Sequence, residues 1–277
     1  MWKKLGSILA AALLLSACTA KKPIDQTTKQ TRQLINALPV EQRPFLVVFP
    51  HSTGKLLTIY LDRVDPKYKQ SSIDLEYLSG NSLKGGRTTI DFPKSLPFAQ
   101  AFLLGSCSSG GKCSFDTDLV SGNIKNKLND GTDIVNVLRS DFIFVTRGEI
   151  TSTDGRVTYT PSSVKQKDQI LLDTQGLPKA VEGRLAYAPI AISAVSSAKI
   201  SGKLTFRVSG VKSVMIYDGD NLLPVKATIG TESVEINLNQ APSNKAVNIV
   251  RDDLKGTTET TQLYLLGPIV LLRGQSL

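Results

Sequence analysis

One histidine, one tryptophan and two methionines are all that this chain of 277 residues contains of these three types. The single histidine, His51, excludes most catalytic triads that use an imidazole base, unless His51 itself serves as that base. One histidine and three cysteines are also too few ligands for an ordinary zinc site. We interpret His51 as a surface residue of the turn after Pro50, and we predict no catalytic residue, no metal site and no cofactor.

Short motifs for phosphate and redox chemistry are incomplete in this chain. The Gly-Gly-Lys sequence that ends at Lys112 lies in a glycine-rich loop, but Ser106 and Cys113 stand where a P-loop needs Gly and Ser or Thr. Cys107 and Cys113 also lack the C-x-x-C spacing of a redox pair. The segment 196–199 matches S-x-x-K, which chance supplies in a chain rich in Ser and Lys, and the other penicillin-binding motifs are missing.

Acidic residues occur in pairs that suit turns and strand faces. Residues 116–118 and 218–221 carry Asp and Asn side chains that favour turns, and an EF-hand loop from position 218 would need Glu where Ile229 stands. The other pairs are Asp62 with Asp65, Asp74 with Glu76, and Asp252 with Asp253. A glycosidase would need two carboxylates about 5–10 Å apart across one cleft, so a carboxylate-dependent hydrolase is the less favoured function.

The first eighteen residues carry the most specific pattern. A basic start precedes an apolar run from Leu5 to Leu15, and small residues follow it. A basic segment, an apolar segment of about ten residues and small residues before a cut site predict an export signal and not a spanning helix. The sequence Leu15-Ser16-Ala17-Cys18 resembles the lipobox of bacterial lipoproteins, in which the signal is cleaved before the cysteine and the cysteine is lipidated.

The resemblance implies a signal peptide of residues 1–17 and a Cys18 that carries a diacylglycerol and often a further acyl chain. Two or three chains are enough for stable anchoring in membrane lipid. In the family, Asp after the cysteine tends to retain a protein at the inner membrane, and here Thr19 takes that place. We therefore expect a lipid-anchored protein at the cell membrane or outer membrane, facing away from the cytoplasm.

Cys107 and Cys113 remain as an even pair once Cys18 is lipidated. Exported proteins meet oxidising conditions, in which such pairs become disulfides. We expect a small disulfide loop between a strand that ends at Leu104 and one near Phe115, worth on the order of 2 kcal/mol in the chain-entropy account. The segment weakly resembles disulfide-clipped hairpins of bacterial immunoglobulin-like surface domains.

Residues 18–43 read as a polar, lipid-anchored tether, because they are rich in Lys, Thr and Gln and poor in large apolar residues. A flexible chain of this length spans roughly 25–30 Å. Within the tether, the spacing of Leu34, Ile35 and Leu38 predicts a short helix over Asp25–Leu38 that ends before Pro39.

From Pro44 onward the pattern is that of short strands separated by turns, which predicts an all-β fold. We expect two tandem β-sandwich domains of immunoglobulin-like architecture, residues 44–165 and 180–277, with a boundary in the polar segment 160–183. The Cys…Trp…Cys signature of antibody domains is absent, since the only tryptophan is Trp2. A barrel or another β fold therefore stays open.

The formal net charge is +9, and the part from Cys18 onward keeps +7 after Lys3 and Lys4 are removed. This charge favours contact with anionic lipid headgroups or anionic wall polymers, although solubility alone could also explain it. Lysine and arginine do not cluster with aromatic residues, so we expect no nucleic acid partner.

Together these features favour a non-enzymatic binding or structural role at the cell envelope. The expected partners are membrane lipid, through the acylated Cys18, and an envelope protein or an anionic wall polymer. The alternative is an accessory or assembly subunit of an envelope complex. A solute receptor is disfavoured, because long amphipathic helices are not visible in the sequence.

Overall fold

A computed structural model describes residues 32–92, 96–109, 112–165, 168–251 and 256–274. The signal peptide, Cys18, the first part of the tether, Asp252 and Asp253 lie outside these residues. The described residues contain no helix with the length and apolar character needed to cross a membrane.

The all-β prediction is confirmed, since the described residues form strands and a single short 3-10 helix at Val40–Gln42. The strands are β1 Arg32–Ile35, β2 Phe45–Pro50, β3 Leu56–Asp62, β4 Gln70–Ser79, β5 Ser82–Asp91, β6 Phe98–Leu103, β7 Gly105–Cys107, β8 Cys113–Phe115, β9 Leu119–Asn129, β10 Ile134–Phe144, β11 Ile150–Thr151, β12 Val157–Pro161, β13 Gln169–Asp173, β14 Arg184–Leu185, β15 Ile190–Ala194, β16 Ile200–Arg207, β17 Val211–Tyr217, β18 Leu222–Pro224, β19 Thr228–Ile229, β20 Ser233–Gln240, β21 Ser243–Arg251 and β22 Thr258–Arg273.

The strands form one large curled sheet, a five-stranded sheet and a small ribbon. The large sheet runs in the order β2-β3-β6-β21-β22-β15-β13-β10-β9-β4-β5, with β1, β14, β17 and β18 attached at its sides. The five-stranded sheet has the order β11-β12-β16-β20-β19, and β7 pairs with β8 alone. The Asp-Gly turn at Asp154 and Gly155 joins β11 to β12, as the hairpin pattern predicts.

The two largest hydrophobic cores of the described residues lie on opposite faces of the central strands. The first core lies inside the curl of the large sheet, and the second lies between that sheet and the five-stranded sheet. In β13, Ile170 and Leu172 pack in the first core, and Leu171 between them packs in the second. In β22, Leu265 packs in the first core and Leu266 in the second. A strand buried on both faces reads as a continuous apolar run without polar alternation.

The sequence pattern predicts a domain boundary in the segment 160–183. In the structure the large sheet continues through this segment, because one of its strands lies there. The apolar patch of that segment is β13, and β13 pairs with β10 on one side and β15 on the other. Residues from Arg32 to Leu277 form one compact unit. The two cores are therefore joined through common strands.

The second half of the tether packs against this unit. Arg32–Ile35 forms β1, parallel to residues 134–137 of β10, so the helix expected to run on to Leu38 is wrong in its described part. The Arg63 guanidinium donates hydrogen bonds to the carbonyl oxygens of Glu41 and Arg43, each at 3.0 Å. These contacts fix the chain that leads into β2.

Candidate functional site

A groove of about 460 Å³ opens at one end of the first core. It lies where β2, β3, β21 and β22 meet two loops, one around Lys179 and one at residues 218–220. Concave sites with apolar walls and a few polar groups are the usual form of small-ligand sites. We call this site the groove.

Three aromatic side chains form one wall of the groove: Phe45, Phe49 and Tyr60. The antiparallel pairing of β2 and β3 sets Phe45 opposite Asp62 and Phe49 opposite Thr58, so these side chains share one face of the pair. The rings of Phe49 and Tyr60 meet edge to face, with centroids 6.4 Å apart. Leu263 and Leu265 of β22 add to the apolar lining.

A charged cluster lies at the rim of the groove beside Tyr60. The Tyr60 hydroxyl donates to Asp62 Oδ2 at 2.6 Å, and the Lys245 ammonium donates to the same oxygen at 2.9 Å. The backbone N–H of Arg63 donates to Asp62 Oδ1 at 2.9 Å. Lys245 Nζ also lies 5.2 Å from the centre of the Tyr60 ring. Each polar group at this rim is therefore held in place before any ligand arrives.

Both members of the ion pair stay charged at neutral pH. Burial alone would raise the pKa of Asp62, but the hydrogen bonds from Tyr60 and Lys245 outweigh it and hold that pKa below 3.8. Burial would lower the pKa of Lys245, but the hydrogen bonds with Tyr60 and Asp62 raise it above its ordinary value. Burial, together with the bond to Asp62, raises the pKa of Tyr60 to about 12.

The loops at the rim are also fixed by hydrogen bonds. Lys179 Nζ donates to the carbonyl oxygen of Asp220 at 2.6 Å, and the Tyr217 hydroxyl donates to the Lys179 carbonyl at 2.7 Å. Asp218 Oδ1 accepts the backbone N–H groups of Asp220 and Asn221, so these residues form the turn that the sequence predicts. The rim thus presents two lysines and three aspartates around an apolar interior.

A second, smaller site has a different character. A cleft of about 170 Å³ lies beside β10 and β13 and is lined by three aspartates: Asp141, Asp154 and Asp173. Phe142 pairs with Leu172 across β10 and β13, so Asp141 and Asp173 are neighbours at the same end of this pair. We call this site the acidic cleft.

The carboxylates of the acidic cleft are unequal. Burial, together with the nearby charges of Asp141 and Asp154, raises the pKa of Asp173 to about 7. Asp154 accepts hydrogen bonds from the hydroxyls of Ser152 and Tyr187, both at 2.7 Å. These bonds outweigh its burial and lower the pKa of Asp154. The cleft can therefore hold a protonated and an ionised carboxyl group together near neutral pH.

Among the described residues, the sequence pairs Asp62 with Asp65 and Asp74 with Glu76 do not line one cleft together. Asp74 forms ion pairs with Arg87 and with Lys127, the latter at 3.2 Å, and Glu76 accepts a hydrogen bond from Asn123 at 3.2 Å. Asp65 pairs with its neighbour Lys67, and Asp62 belongs to the groove cluster. The acidic pairs read from the sequence do not include Asp141, Asp154 or Asp173, because these three residues lie in separate elements of the fold.

Cys107 and Cys113 are joined by a disulfide that closes the β7–β8 ribbon. Next to the ribbon, the Asp116 carboxylate accepts a hydrogen bond from Tyr77 at 2.7 Å and forms an ion pair with Lys84. Asp116 is thus a structural residue that links β4 and β5 to the end of the ribbon.

His51 lies in the expected turn at the surface, where its side chain is partly buried and 10% exposed. Its Nδ1 lies 3.0 Å from Thr53 Oγ1, and its Nε2 lies 3.3 Å from Glu259 Oε1. Glu259 also pairs with Arg251 at 2.6 Å. These contacts tie the turn to β21 and β22.

Across the described ranges, no group of three or more His, Cys, Asp or Glu side chains is arranged to hold a metal ion. No protein-family model matches the chain, and no curated protein sequence shows significant similarity to it.

Proposed function

We propose that this protein is a membrane-anchored extracytoplasmic lipoprotein that binds an amphipathic ligand in the groove without acting on it chemically. The main support for the proposal is that a buried aromatic wall lies next to a fixed pair of opposite charges at the rim of the groove. Phe45, Phe49 and Tyr60 are at most 6% exposed. Asp62 and Lys245 are pre-oriented beside them.

The anchor half of the proposal comes from the Leu15–Cys18 motif. Since β1 begins at Arg32, only fourteen residues separate the membrane from the first strand, Cys18 and Thr31 included. Fully extended, they reach at most roughly 50 Å. A tether this short keeps the groove within the envelope layer next to the membrane.

The two cores support two sandwich modules, as in the immunoglobulin-like prediction. Each core is enclosed by two layers of strands. Because β13, β15 and β22 serve both cores, we propose modules fused through shared strands and not a tandem pair joined by a linker.

The chemistry of the groove selects the ligand class. Apolar walls favour a hydrophobic ring or chain, and an ionised Asp62 at the rim favours a hydrogen-bond donor on that ligand. The rim charges nearly cancel, so a strongly charged ligand has no electrostatic advantage. A neutral amphiphile with a donor group fits best.

The anchor is tested by labelling cells with a clickable fatty acid. The wild-type protein should take up the label and fractionate with membranes, and a Cys18→Ala variant should do neither. An unlabelled wild-type protein, or a labelled variant, would remove the anchor.

The groove is tested with N-phenyl-1-naphthylamine, a neutral apolar fluorophore with one N–H donor. We use residues 19–277, which include the whole compact unit from Arg32 onward. Wild type should enhance the dye's emission. Lys245→Trp, which fills the rim over Tyr60, should weaken binding at least tenfold.

Lys203→Trp is the matched control. Lys203 is a half-exposed lysine in an ion pair with Glu235 on the five-stranded sheet, and its exposure resembles that of Lys245. This variant should bind the dye as wild type does. Equal loss in both variants, or no loss in Lys245→Trp, refutes the groove as the binding site.

The raised pKa of Asp173 favours a second candidate function, a carboxylate-dependent hydrolase at the acidic cleft. A group with a pKa of about 7 beside an ionised carboxylate is the arrangement used by a general acid with a charged partner. Turnover of nitrophenyl glycosides that disappears in both Asp173→Asn and Asp154→Asn would establish it. No turnover above that of the variants would eliminate it for these substrates.

A further inference from the structure

A second cavity, of about 210 Å³, lies beside the turn that carries His51. In contrast to the groove, it has a wall rich in polar side chains: His51, Ser52, Thr58, Thr261 and Gln262. Leu263 of β22 lines both this cavity and the groove. We call the second cavity the rear cavity.

Both cavities belong to the interior of one ring of six strands. The strands β2, β3, β6, β21, β22 and β15 are neighbours in that order, and β2 packs against β15 to complete the ring. Residues directly opposite each other in paired strands share a face. Tyr60 therefore faces the interior together with Ala99, as Lys245 does with Leu263.

The two cavities occupy successive positions along this interior. On β3, Thr58 lines the rear cavity and Asp62, four residues further on, lines the groove. Four residues of a strand span about 13 Å. On β22 the order is reversed, as antiparallel strands require: Thr261 lines the rear cavity and Leu265 lines the groove.

The partition between the cavities is about one layer of side chains thick. Leu263 is common to both cavities, and Phe49 of the groove lies directly opposite Thr58 of the rear cavity in the β2–β3 pair. A change of the Leu263 rotamer is a local motion that leaves the strands in place. An extended ligand can therefore pass from the groove into the rear cavity.

Ser193 of β15 lies at this partition with its hydroxyl unused. It is fully buried, and its Oγ has no hydrogen-bond partner among the described residues. It faces the interior opposite Leu265 of the groove, two residues before Val195 of the rear cavity. A buried hydroxyl without a partner is costly. The polar end of a ligand that enters the rear cavity would supply that partner.

Each end of the interior carries a fixed ion pair. At the groove rim the pair is Asp62 with Lys245. At the rear, Glu259 pairs with Arg251 at 2.6 Å, and His51 Nε2 lies 3.3 Å from Glu259. Polar groups at both ends and apolar side chains between them match a ligand with the same order of groups.

We infer that the groove and the rear cavity form one binding site for an extended, neutral amphiphile with a polar group at each end. The apolar chain lies along Phe49 and Leu263, one polar end meets the rim at Asp62, and the other enters the rear cavity beside Ser193. The inference rests on the proposed binding in the groove and adds the length and the second polar end of the ligand.

The test compares a long and a short probe on residues 19–277. The long probe is 1,12-dodecanediol, and the short one is N-phenyl-1-naphthylamine, whose rigid rings stay in the groove. His51 is the only histidine of the chain, so its imidazole gives a single NMR signal. The diol should displace the dye and shift this signal, whereas the dye alone should leave the signal unchanged.

A pair of variants on β22 separates the rear cavity from the groove. Thr261→Trp fills the rear cavity and should weaken binding of the diol about tenfold, with binding of the dye unchanged. Thr260→Trp is the control, because Thr260 is exposed and points away from the interior. This variant should bind both probes as wild type does. Circular dichroism checks that both variants keep the strand content of wild type.

The outcomes distinguish this inference from the proposed function. If the dye binds in the groove and the diol displaces it without a shift of the His51 signal, the groove stands and the extended site is refuted. If the diol shifts His51 but does not displace the dye, the two cavities are separate sites and the inference also fails. Equal loss of diol binding in Thr261→Trp and Thr260→Trp would overturn it as well. Absence of dye binding to wild type would refute the proposed function itself.

Discussion

The groove and the acidic cleft both present aspartates to solvent, but the protein surrounds them differently. In the groove, Asp62 has a lysine, a tyrosine hydroxyl and a backbone N–H as partners, and its pKa falls. In the cleft, Asp173 faces other carboxylates and its pKa rises to about 7. Burial acts in the same direction at both sites, so the partners decide the sign.

The two sites should therefore make opposite contributions to stability as pH changes. Asp62 has a folded-state pKa below its unfolded value of 3.8, so it stabilises the fold above that pH and the contribution is lost in acid. Asp173 has a folded-state pKa above 3.8, so stability falls as pH rises from about 4 to about 7. The groove therefore stabilises the ionised form of Asp62, whereas the cleft disfavours the ionised form of Asp173.

The largest expected effect is that of Asp173→Asn. The neutral amide removes the cost of holding a carboxylate in the cleft, so the free energy of unfolding at pH 8 should rise by roughly 2–4 kcal/mol. At pH 4 the change should be small, because Asp173 is then protonated in the folded state. Urea unfolding at both pH values measures the difference, and a variant no more stable at pH 8 than wild type would contradict the account.

The matched change in the groove is Asp62→Asn, which should act in the opposite direction. The hydrogen bonds from Tyr60 and Lys245 lose their charged acceptor, so stability at pH 7 should fall by about 1–2 kcal/mol. The loss should shrink in acid, once the pH falls through the lowered pKa of Asp62 and wild type also loses the charge. A pH-independent loss would mean that packing and not charge holds this cluster together.

Two tyrosines sharpen the comparison, since each donates its hydroxyl to one aspartate. Tyr60→Phe and Tyr187→Phe should each cost about 1 kcal/mol. Carboxyl carbon NMR should show the pKa of Asp62 rising in the first variant and that of Asp154 rising in the second. If either aspartate titrates as in wild type, its hydroxyl contact does not set the pKa.

The smallest expected effect is at the exposed ion pair of Lys203 and Glu235. Lys203→Met should change stability by less than about 0.5 kcal/mol at low salt, because such surface pairs contribute little. Thermal unfolding gives the baseline for the groove and cleft variants. A loss above that size would show that charges on the five-stranded sheet contribute more than their exposure implies.

Local sequence patterns predict many of the strands, because the alternation of apolar and polar side chains is itself a local pattern. The alternation of Ile73, Leu75 and Tyr77 with acidic residues describes β4, whose apolar side chains enter the first core. The disulfide between Cys107 and Cys113 follows from an even pair and short spacing.

The relation between distant segments is not visible in local patterns. The run Ile170–Leu172 lies in a polar segment and reads as a minor patch, yet it forms a central strand that serves both cores. Arg32–Ile35 has the spacing of a helix, but pairing with β10 outweighs that weak preference.

Neither candidate site could be assembled from the sequence. Lys245 reaches Asp62 across 183 positions because β21, β6 and β3 are neighbours in the sheet. Asp173 meets Asp154 through packing of the five-stranded sheet on the central strands. The one local indication of the groove in the sequence is the apolar run Leu56–Leu61, which ends at the carboxylate of Asp62.

Amide NMR during titration with N-phenyl-1-naphthylamine tests the central claim most directly, because it locates the bound dye on residues 19–277. The account predicts shifts at groove residues such as Phe45, Tyr60 and Lys245, and no shifts at Asp141, Asp173 or Tyr187 of the cleft. Shifts confined to the acidic cleft, or none at the groove at saturating dye, would contradict the proposal that this protein binds its ligand in the groove.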